Sequence, residues 1–383
     1  MRGSPPSANC EGMDMESWED DLSVLSESIA EVLAAECDRL TVHAFFDGQN
    51  ALDESLWQTA AEQGWLGIGL SEASGGLGFG ARGLDILFRQ LGRAMAPGLF
   101  LPTLAAAQWL AEMGPAEIRD RLLPDVIAGT CTFAVPLALN GETMALAGGV
   151  LSGRSPLLLG ARAVRCAVLP VEADGKAAIA VVELTDGKAA FEPADIWDHT
   201  RLVGRLQFDG VAPLALIEDA DGCATATLRR WIALGVSGEC VGGARAITEQ
   251  TVAYLKERVQ FGKPLASFQV LKHRAADLMT AVIHSENMLD QAVEASAESA
   301  ASANMWANLA KASATEKFKF VAEDCVQLHG GVGFTWEFDC HIFLKRALLN
   351  REIGGSAAEL RDLAESDLAK ATLAGTTTAE LTL

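Results

Sequence analysis

The sequence predicts an α+β fold of three consecutive units: an N-terminal helical domain, a middle antiparallel β domain and a C-terminal helical bundle. Three observations carry this expectation. Apolar residues recur at three-to-four spacing in the first and last thirds of the chain. Between them, short apolar runs are separated by Asp-Gly and Gly-Lys turns, the pattern of a β-meander. Helical and strand patterns do not alternate along the chain, which excludes a doubly wound parallel sheet. The expected borders are a flexible tail over 1–15, the helical domain over 16–129, the β domain over 130–222 and the helical bundle over 223–375.

The helical domain opens with "LSVLSESIAEVLAAECDRL", whose apolar positions line one helical face. Residues 17–68 read as helices, and "SEASGGLGFGARG" then reads as a loop. "LDILFRQLGRAMA", "LAAAQWLAEMG" and "EIRDRLLPDVIAG" are helical again, with Pro102-Thr103 and Pro115 marking starts. The β domain runs from "CTFAVPLAL" to "LALIED", through "VRCAVLPV", "AAIAVVEL", "AAFEPADI" and "RLQFDGV". From Ala224 to about Lys370 the pattern is helical, with breaks at Phe261–Pro264, Gly330–Thr335 and Gly354–Ser356. The last residues, "TLAGTTTAELTL", read as loose.

Composition narrows the function. A chain of 383 residues, half of them hydrophobic, buries a large core. Its formal charge of −21 argues against nucleic acid or an anionic membrane as the main partner, and any anionic ligand needs a local basic pocket. Basic residues cluster at Arg229-Arg230, Lys256–Lys263 and Lys345-Arg346. No apolar run is long enough to span a bilayer, and nothing at the start reads as a signal peptide. Eight cysteines are scattered without a C-x-x-C pair, so a zinc site is not expected; several sit in apolar runs, and the cytoplasm is the expected compartment. Asp339 and His341 are two residues apart, a spacing that suits no pair of ligands on one helix face.

Three stretches invite a chemical reading. "GGLGFG" at 75–80 contains G-x-G, but its flanks are helical and no βαβ unit surrounds it, so it reads as a turn. In "ERVQFGKPLASFQVLKHRAADL", Arg258 ends one helix and Gln269 sits in the first turn of the next. A guanidinium beside a helix N-terminus suits a phosphate, and it equally suits a cap on the preceding helix's last carbonyls. In "DCVQLHGGVGFTWEFD", Gln327 ends a helix, and Gly330-Gly331 exposes backbone amides that a nucleotide can approach.

Together, R-x-x-F-G-x-x-x-x-x-F-Q followed some sixty residues later by Q-L-x-G-G-x-G-F resembles the acyl-CoA dehydrogenase family. The helix–β–helix order, "GGLGFGARGLDILFRQLGRAMAP" and "DHTRLVGRLQFDGV" extend the resemblance over almost the whole chain. It implies FAD held between the β domain and the C-terminal helices, with sites completed by neighbouring subunits. Carried over, Arg258, Phe261 and Gln269 reach the diphosphate and adenosine of a partner's FAD, Gln327, Gly330 and Gly331 line the nucleotide of another chain, and Ser356 approaches the cofactor. The implied substrate is an acyl-CoA or related thioester. The implied reaction is α,β-dehydrogenation, in which a carboxylate takes the α-proton and the flavin takes the β-hydride.

The chain departs from the family where that chemistry happens. In "LKRALLNREIGGSAAEL", ungapped counting places Gly354 where the family carries its catalytic glutamate. Glu352 is two residues away and on a helical segment points elsewhere. Members that carry the base on the long helix before R-x-x-F-G would have it at Ile232, which cannot serve. Glu239, two turns along the same face, is the remaining candidate base; its small apolar neighbours, "GVSGECVGG", are expected to raise its pKa toward a working range. The β-domain loops that touch the flavin ring in the family read here "VPLALNGETMALAGG" and "PLLLGARAVRCAV", without the family motifs. "GFTWEFD" and "DHTR" resemble the branch acting on bulky esters such as steroid side chains, which includes degenerate chains paired with a competent partner. Three readings follow: an FAD-dependent dehydrogenase for a bulky acyl thioester, completed in a homo- or hetero-oligomer; a non-catalytic subunit contributing half of a FAD site; and a redox-neutral or oxygen-using flavin enzyme.

Overall fold

The computed structural model describes residues 15–46, 54–160, 162, 164–184 and 187–373. The loose segments expected at the two ends lie outside the described residues, apart from Met15, which already begins a helix, and residues up to Leu373, which still belong to one.

The first unit comprises α1 (Met15–Glu36), α2 (Arg39–Phe46), α3 (Glu54–Glu62), α4 (Gly80–Arg93), α5 (Phe100–Met113) and α6 (Ala116–Ile127). In α4 the buried residues Leu84, Leu87, Phe88 and Leu91 recur at helical spacing, so one stripe packs inward and the other face stays polar. In α5 every residue from Phe100 to Leu110 is buried, which makes it the centre of this unit. The glycine-rich stretch before α4 forms a loop with no strand beside it, as a turn reading requires.

The element type changes between Ile127 and Phe133. The strands are β1 (Phe133–Pro136), β2 (Met144–Ala147), β3 (Val150–Arg154), β4 (Leu158–Leu159), β5 (Cys166–Ala173), β6 (Lys176–Glu183), β7 (Ala189–Pro193), β8 (Val203–Val211) and β9 (Ala215–Glu218). Their order is β1-β4-β8-β3-β2-β5-β6-β9, with β7 on β8, and a further β1–β5 pairing closes the first six into a ring. Leu151, Leu158, Leu169, Val182, Leu206 and Phe208 fill a core of their own there. Most pairings are antiparallel, as expected, with two exceptions. β5 runs parallel to both β1 and β2, so the sheet is mixed. Turn signals announce hairpins between consecutive strands, but ring closure pairs strands distant in sequence, and no local signal sets their direction.

The chain becomes helical again with α7 (Cys223–Glu257), a 35-residue helix buried over most of its length. A two-stranded ribbon, β10 (Val259–Gln260) and β11 (Lys263–Pro264), leads into α8 (Gln269–Ala297), α9 (Ala303–His329), α10 (Cys340–Asn350) and α11 (Ala357–Leu373). The break between α8 and α9 was not signalled: "ESAASA" holds neither Gly nor Pro, and the chain turns with Ser299 at φ 54°. α4 crosses α7 at very short range, because a Cβ on Gly92 would overlap the Glu239 backbone and one on Gly242 the Arg89 carbonyl. No helix among the described residues is long and apolar enough to cross a membrane.

Candidate active site

The Gly-Gly break between α10 and α11 is the natural starting point. Gly354 has φ 77° and Gly355 φ 116°, conformations that side chains rarely adopt. Ser356 then caps α11: its hydroxyl and backbone N–H both donate to Glu359 Oε2, at 2.8 and 2.7 Å, the reciprocal box expected of Ser-x-x-Glu at a helix start. The Ser356 side chain is thus engaged by its own helix. Glu352 is exposed.

Gly354 faces α7. A Cβ placed on it would come 3.0 Å from Cγ2 of Ile232, which is fully buried. The two positions from which family members present a base therefore meet at one point in this fold, and here neither carries a carboxylate. The opposite side of the break is closed as well. The Gly354 N–H donates to the Leu137 carbonyl at 2.6 Å, and the Leu137 N–H donates to the Leu157 carbonyl at 2.8 Å. Leu137 and Leu157 belong to the two β-domain stretches that lack the family's flavin motifs. Arg229, one turn before Ile232 on α7, holds the same loop through a 2.8 Å bond to Asn140 Oδ1. A planar ring between two backbones needs about 7 Å, two van der Waals contacts of ~3.5 Å each. A direct backbone hydrogen bond leaves no such gap between Leu137 and Gly354.

Lys311 on α9 supports the break from behind. It is fully buried, and its Nζ donates to the carbonyls of Arg351, at 3.1 Å, and Gly355. Burial pulls its pKa down to about 8. The sequence signal for this role was absent, since a lysine inside a helix normally reads as solvent-facing.

Glu239 does not lie in the apolar setting expected for it. It is 1% exposed and ion-paired to Arg201, with Arg346 Nη1 3.9 Å from its other oxygen. Arg346 Nε in turn contacts Asp198 Oδ2 at 2.7 Å, and its Nη2 bonds Thr200 Oγ1 and the Ala96 carbonyl. Two acids and two arginines thus form a sealed node joining the α4–α5 connection, the loop before β8, α7 and α10. Burial pushes the Asp198 carboxyl up, but Arg346, Thr200 and Arg201 outweigh it and hold the group below the usual carboxylate range. A carboxylate sealed from solvent, with one oxygen ion-paired to Arg201, is poorly placed to accept a substrate proton. Its setting is that of a structural ion pair. The arginines come from distant segments, so the surrounding sequence, with its small residues, could not announce them.

The residues expected to face the nucleotide lie elsewhere, on the C-terminal helices and the turns between them. Phe261 and Gly262 form the two-residue turn of the β10–β11 ribbon, with φ 53° and 77°. Positive φ at both central residues matches the twist of a hairpin, and for a phenylalanine it is strained. The ring is 90% exposed. Arg258 is exposed, and among the described residues its guanidinium has no hydrogen bond or ion pair. Most arginines among the described residues are paired, whereas the Arg258 guanidinium at the end of α7 is free to take an exogenous phosphate. Gln269 opens α8 with its amide 2.9 Å from His273 Nε2. Gln327 is exposed, and Cβ atoms on Gly330 or Gly331 would meet nothing within 4 Å. Phe261, Gln327 and Arg258 are thus exposed on the C-terminal helices and the turns between them.

Two family models match the chain: "Acyl-CoA dehydrogenase, N-terminal domain" over residues 19–130 and "Acyl-CoA dehydrogenase, C-terminal domain" over residues 229–368. The chain is 28% identical over 350 residues to the acyl-CoA dehydrogenase IpdE2 of Mycobacterium tuberculosis, covering 90% of this chain and 96% of that protein. Among solved structures it resembles a Tcur3481-Tcur3483 steroid acyl-CoA dehydrogenase variant, with TM-score 0.84 and 27% identity over 93% of this chain and 99% of the other. It also shares its fold with the ChsE4-ChsE5 complex of M. tuberculosis, with TM-score 0.82 and 24% identity over 91% of this chain and 97% of the other.

Proposed function

The chain belongs to the acyl-CoA dehydrogenase family of FAD-dependent oxidoreductases, and from that premise we propose that it works as the half-site subunit of a hetero-oligomeric dehydrogenase for a bulky acyl-CoA. When bound, FAD supplies the hydride acceptor of an α,β-dehydrogenation. In this reading Arg258, Phe261, Gln269, Gln327, Gly330 and Gly331 hold the nucleotide of a flavin whose ring lies in a partner chain's open slot. The partner also furnishes the catalytic carboxylate. The observation that carries the reading is the Gly354–Leu137 backbone bond together with Ile232 packed against Gly354: the chain's own slot lacks both the acid and the room. Similarity to a two-chain steroid dehydrogenase supports both the hetero-oligomer and the bulky substrate. The free cysteines support a reducing, cytoplasmic setting.

The test is to purify the chain alone and together with a second family member encoded beside it. Alone, the chain is expected to carry no stoichiometric FAD. The complex is expected to be yellow and to be reduced by a bulky acyl-CoA. Arg258→Ala in the complex should weaken FAD binding roughly ten- to hundredfold, since charge-assisted bonds contribute about 1.5–3 kcal/mol. A chain that alone binds one FAD per subunit and reduces it with acyl-CoA would sink the half-site reading and restore the homo-oligomeric enzyme. A flavin-loaded complex that no acyl-CoA reduces would point to redox-neutral or oxygen-using chemistry.

A further inference from the structure

A pair of thiols lies at the root of the β domain, away from the residues discussed so far. Cys131 follows α6, two residues before β1, and Cys166 is the first residue of β5. Their sulfurs are 3.8 Å apart, and both residues are fully buried. The backbones around them are locked together: the Cys166 N–H donates to the Thr132 carbonyl at 3.0 Å, Phe133 pairs with Cys166 in the parallel register, and the Cys131 N–H donates to the Asp125 carbonyl at 3.0 Å. A disulfide needs the sulfurs at about 2.05 Å, so closure asks for side-chain rotation of under roughly 2 Å with the backbones already side by side.

We propose that Cys131 and Cys166 are a redox-modification site that forms an intrachain disulfide when the protein meets a hydroperoxide. The Cys131 thiolate attacks the peroxide O–O bond, giving a sulfenic acid on Cys131 and releasing hydroxide. The Cys166 sulfur then displaces that hydroxyl as the S–S bond forms. In sum, two thiols lose two electrons and two protons, and hydrogen peroxide is reduced to two waters. The sulfur–sulfur contact and the Arg165 guanidinium draw the Cys131 thiol below its ordinary range, whereas the same contact and burial push Cys166 well above it. Arg165 is itself fixed by Asp125 Oδ2 at 2.6 Å and Glu183 Oε1 at 3.0 Å. The bond would staple the exit of α6 to β5, just before β1, whose far end leads to Leu137.

The experiment treats the folded full-length chain with hydrogen peroxide, blocks free thiols under denaturing conditions and maps peptides by mass spectrometry. The exposed Cys223 serves as an internal control for reactivity. The expected result is a linked Cys131–Cys166 peptide pair, 2 Da lighter than the reduced pair and restored by dithiothreitol. Oxidation should also raise Tm by about 3–6 °C, because a cross-link restricts the unfolded chain. Cys131→Ser and Cys166→Ser should each lose both effects. The proposal is overturned if both thiols remain alkylatable after Cys223 has been oxidised, or if Cys131 proceeds to sulfinic acid without a linked peptide. The wild-type mapping decides the matter even if neither variant folds.

Discussion

At the scale of single residues, the informative groups are buried charges, because each must be satisfied where it stands. Lys311 illustrates this. Its two carbonyl acceptors hold the turn before α11, yet burial lowers its pKa from 10.5 to about 8. The unfolded chain therefore keeps a proton that the folded chain has released between pH 8 and 10.5. Stability from this group is lowest below pH 8 and rises as pH climbs through that window. Between pH 7.5 and 9 the gain should be about 1 kcal/mol, read as an upward shift of the urea midpoint that Lys311→Met lacks. The comparison stops at pH 9 because Cys240, Cys325 and Cys340, pushed by burial to about 12, act in the opposite sense above it. An equal pH response in both proteins would contradict the assignment.

At the scale of elements, the Gly354 break shows how a loop and a helix set each other. Its place along the chain was read from spacing alone, and in the structure it lies against Ile232. What spacing cannot express is the room available there. Restoring the family's acid is therefore expected to fail. Gly354→Glu must accept φ 77° and press a Cβ to 3.0 Å from Ile232, at a cost of about 1–3 kcal/mol for the backbone alone. It should lower the denaturation midpoint and leave acyl-CoA-dependent flavin reduction unchanged, even in a flavin-loaded complex. A stable Gly354→Glu protein that gains dehydrogenation would mean that the slot opens. The ribbon at Phe261-Gly262 presents the reverse case. Its turn residues were legible as a break, but the outward aim of Phe261 and the unpaired state of Arg258 belong to the assembled surface.

At the scale of the whole molecule, the node of Asp198, Arg201, Glu239 and Arg346, with the Ala96 and Gly98 carbonyls that its arginines bond, ties together segments from all three thirds of the chain. Removing one partner from a buried ion pair typically costs about 3–5 kcal/mol, because it strands the opposite charge. Glu239→Gln should therefore lower global stability by about that amount, seen as a single shifted unfolding transition, while the complex retains its rate of flavin reduction. A variant as stable as wild type but unable to reduce flavin would instead make Glu239 the base, as its place on α7 first suggested. The node also explains why "DHTR" stands out in the sequence: Asp198, Thr200 and Arg201 all belong to it.

Much of the architecture was settled by the sequence alone, because helical and strand periodicities are local and survive without knowledge of partners. The order of units, the breaks at 261–264, 330–335 and 354–356, and the loss of the acid at Gly354 were all readable in this way. Contacts between distant segments were decided only in three dimensions. The parallel pairings of β5, the arginines around Glu239, Lys311 behind the break, the closed slot at Leu137 and the neighbouring sulfurs of Cys131 and Cys166 each join residues tens to hundreds of positions apart. The physical reason is that charge pairing, cavity room and strand direction are properties of neighbours in space, and a sequence lists neighbours only along the chain.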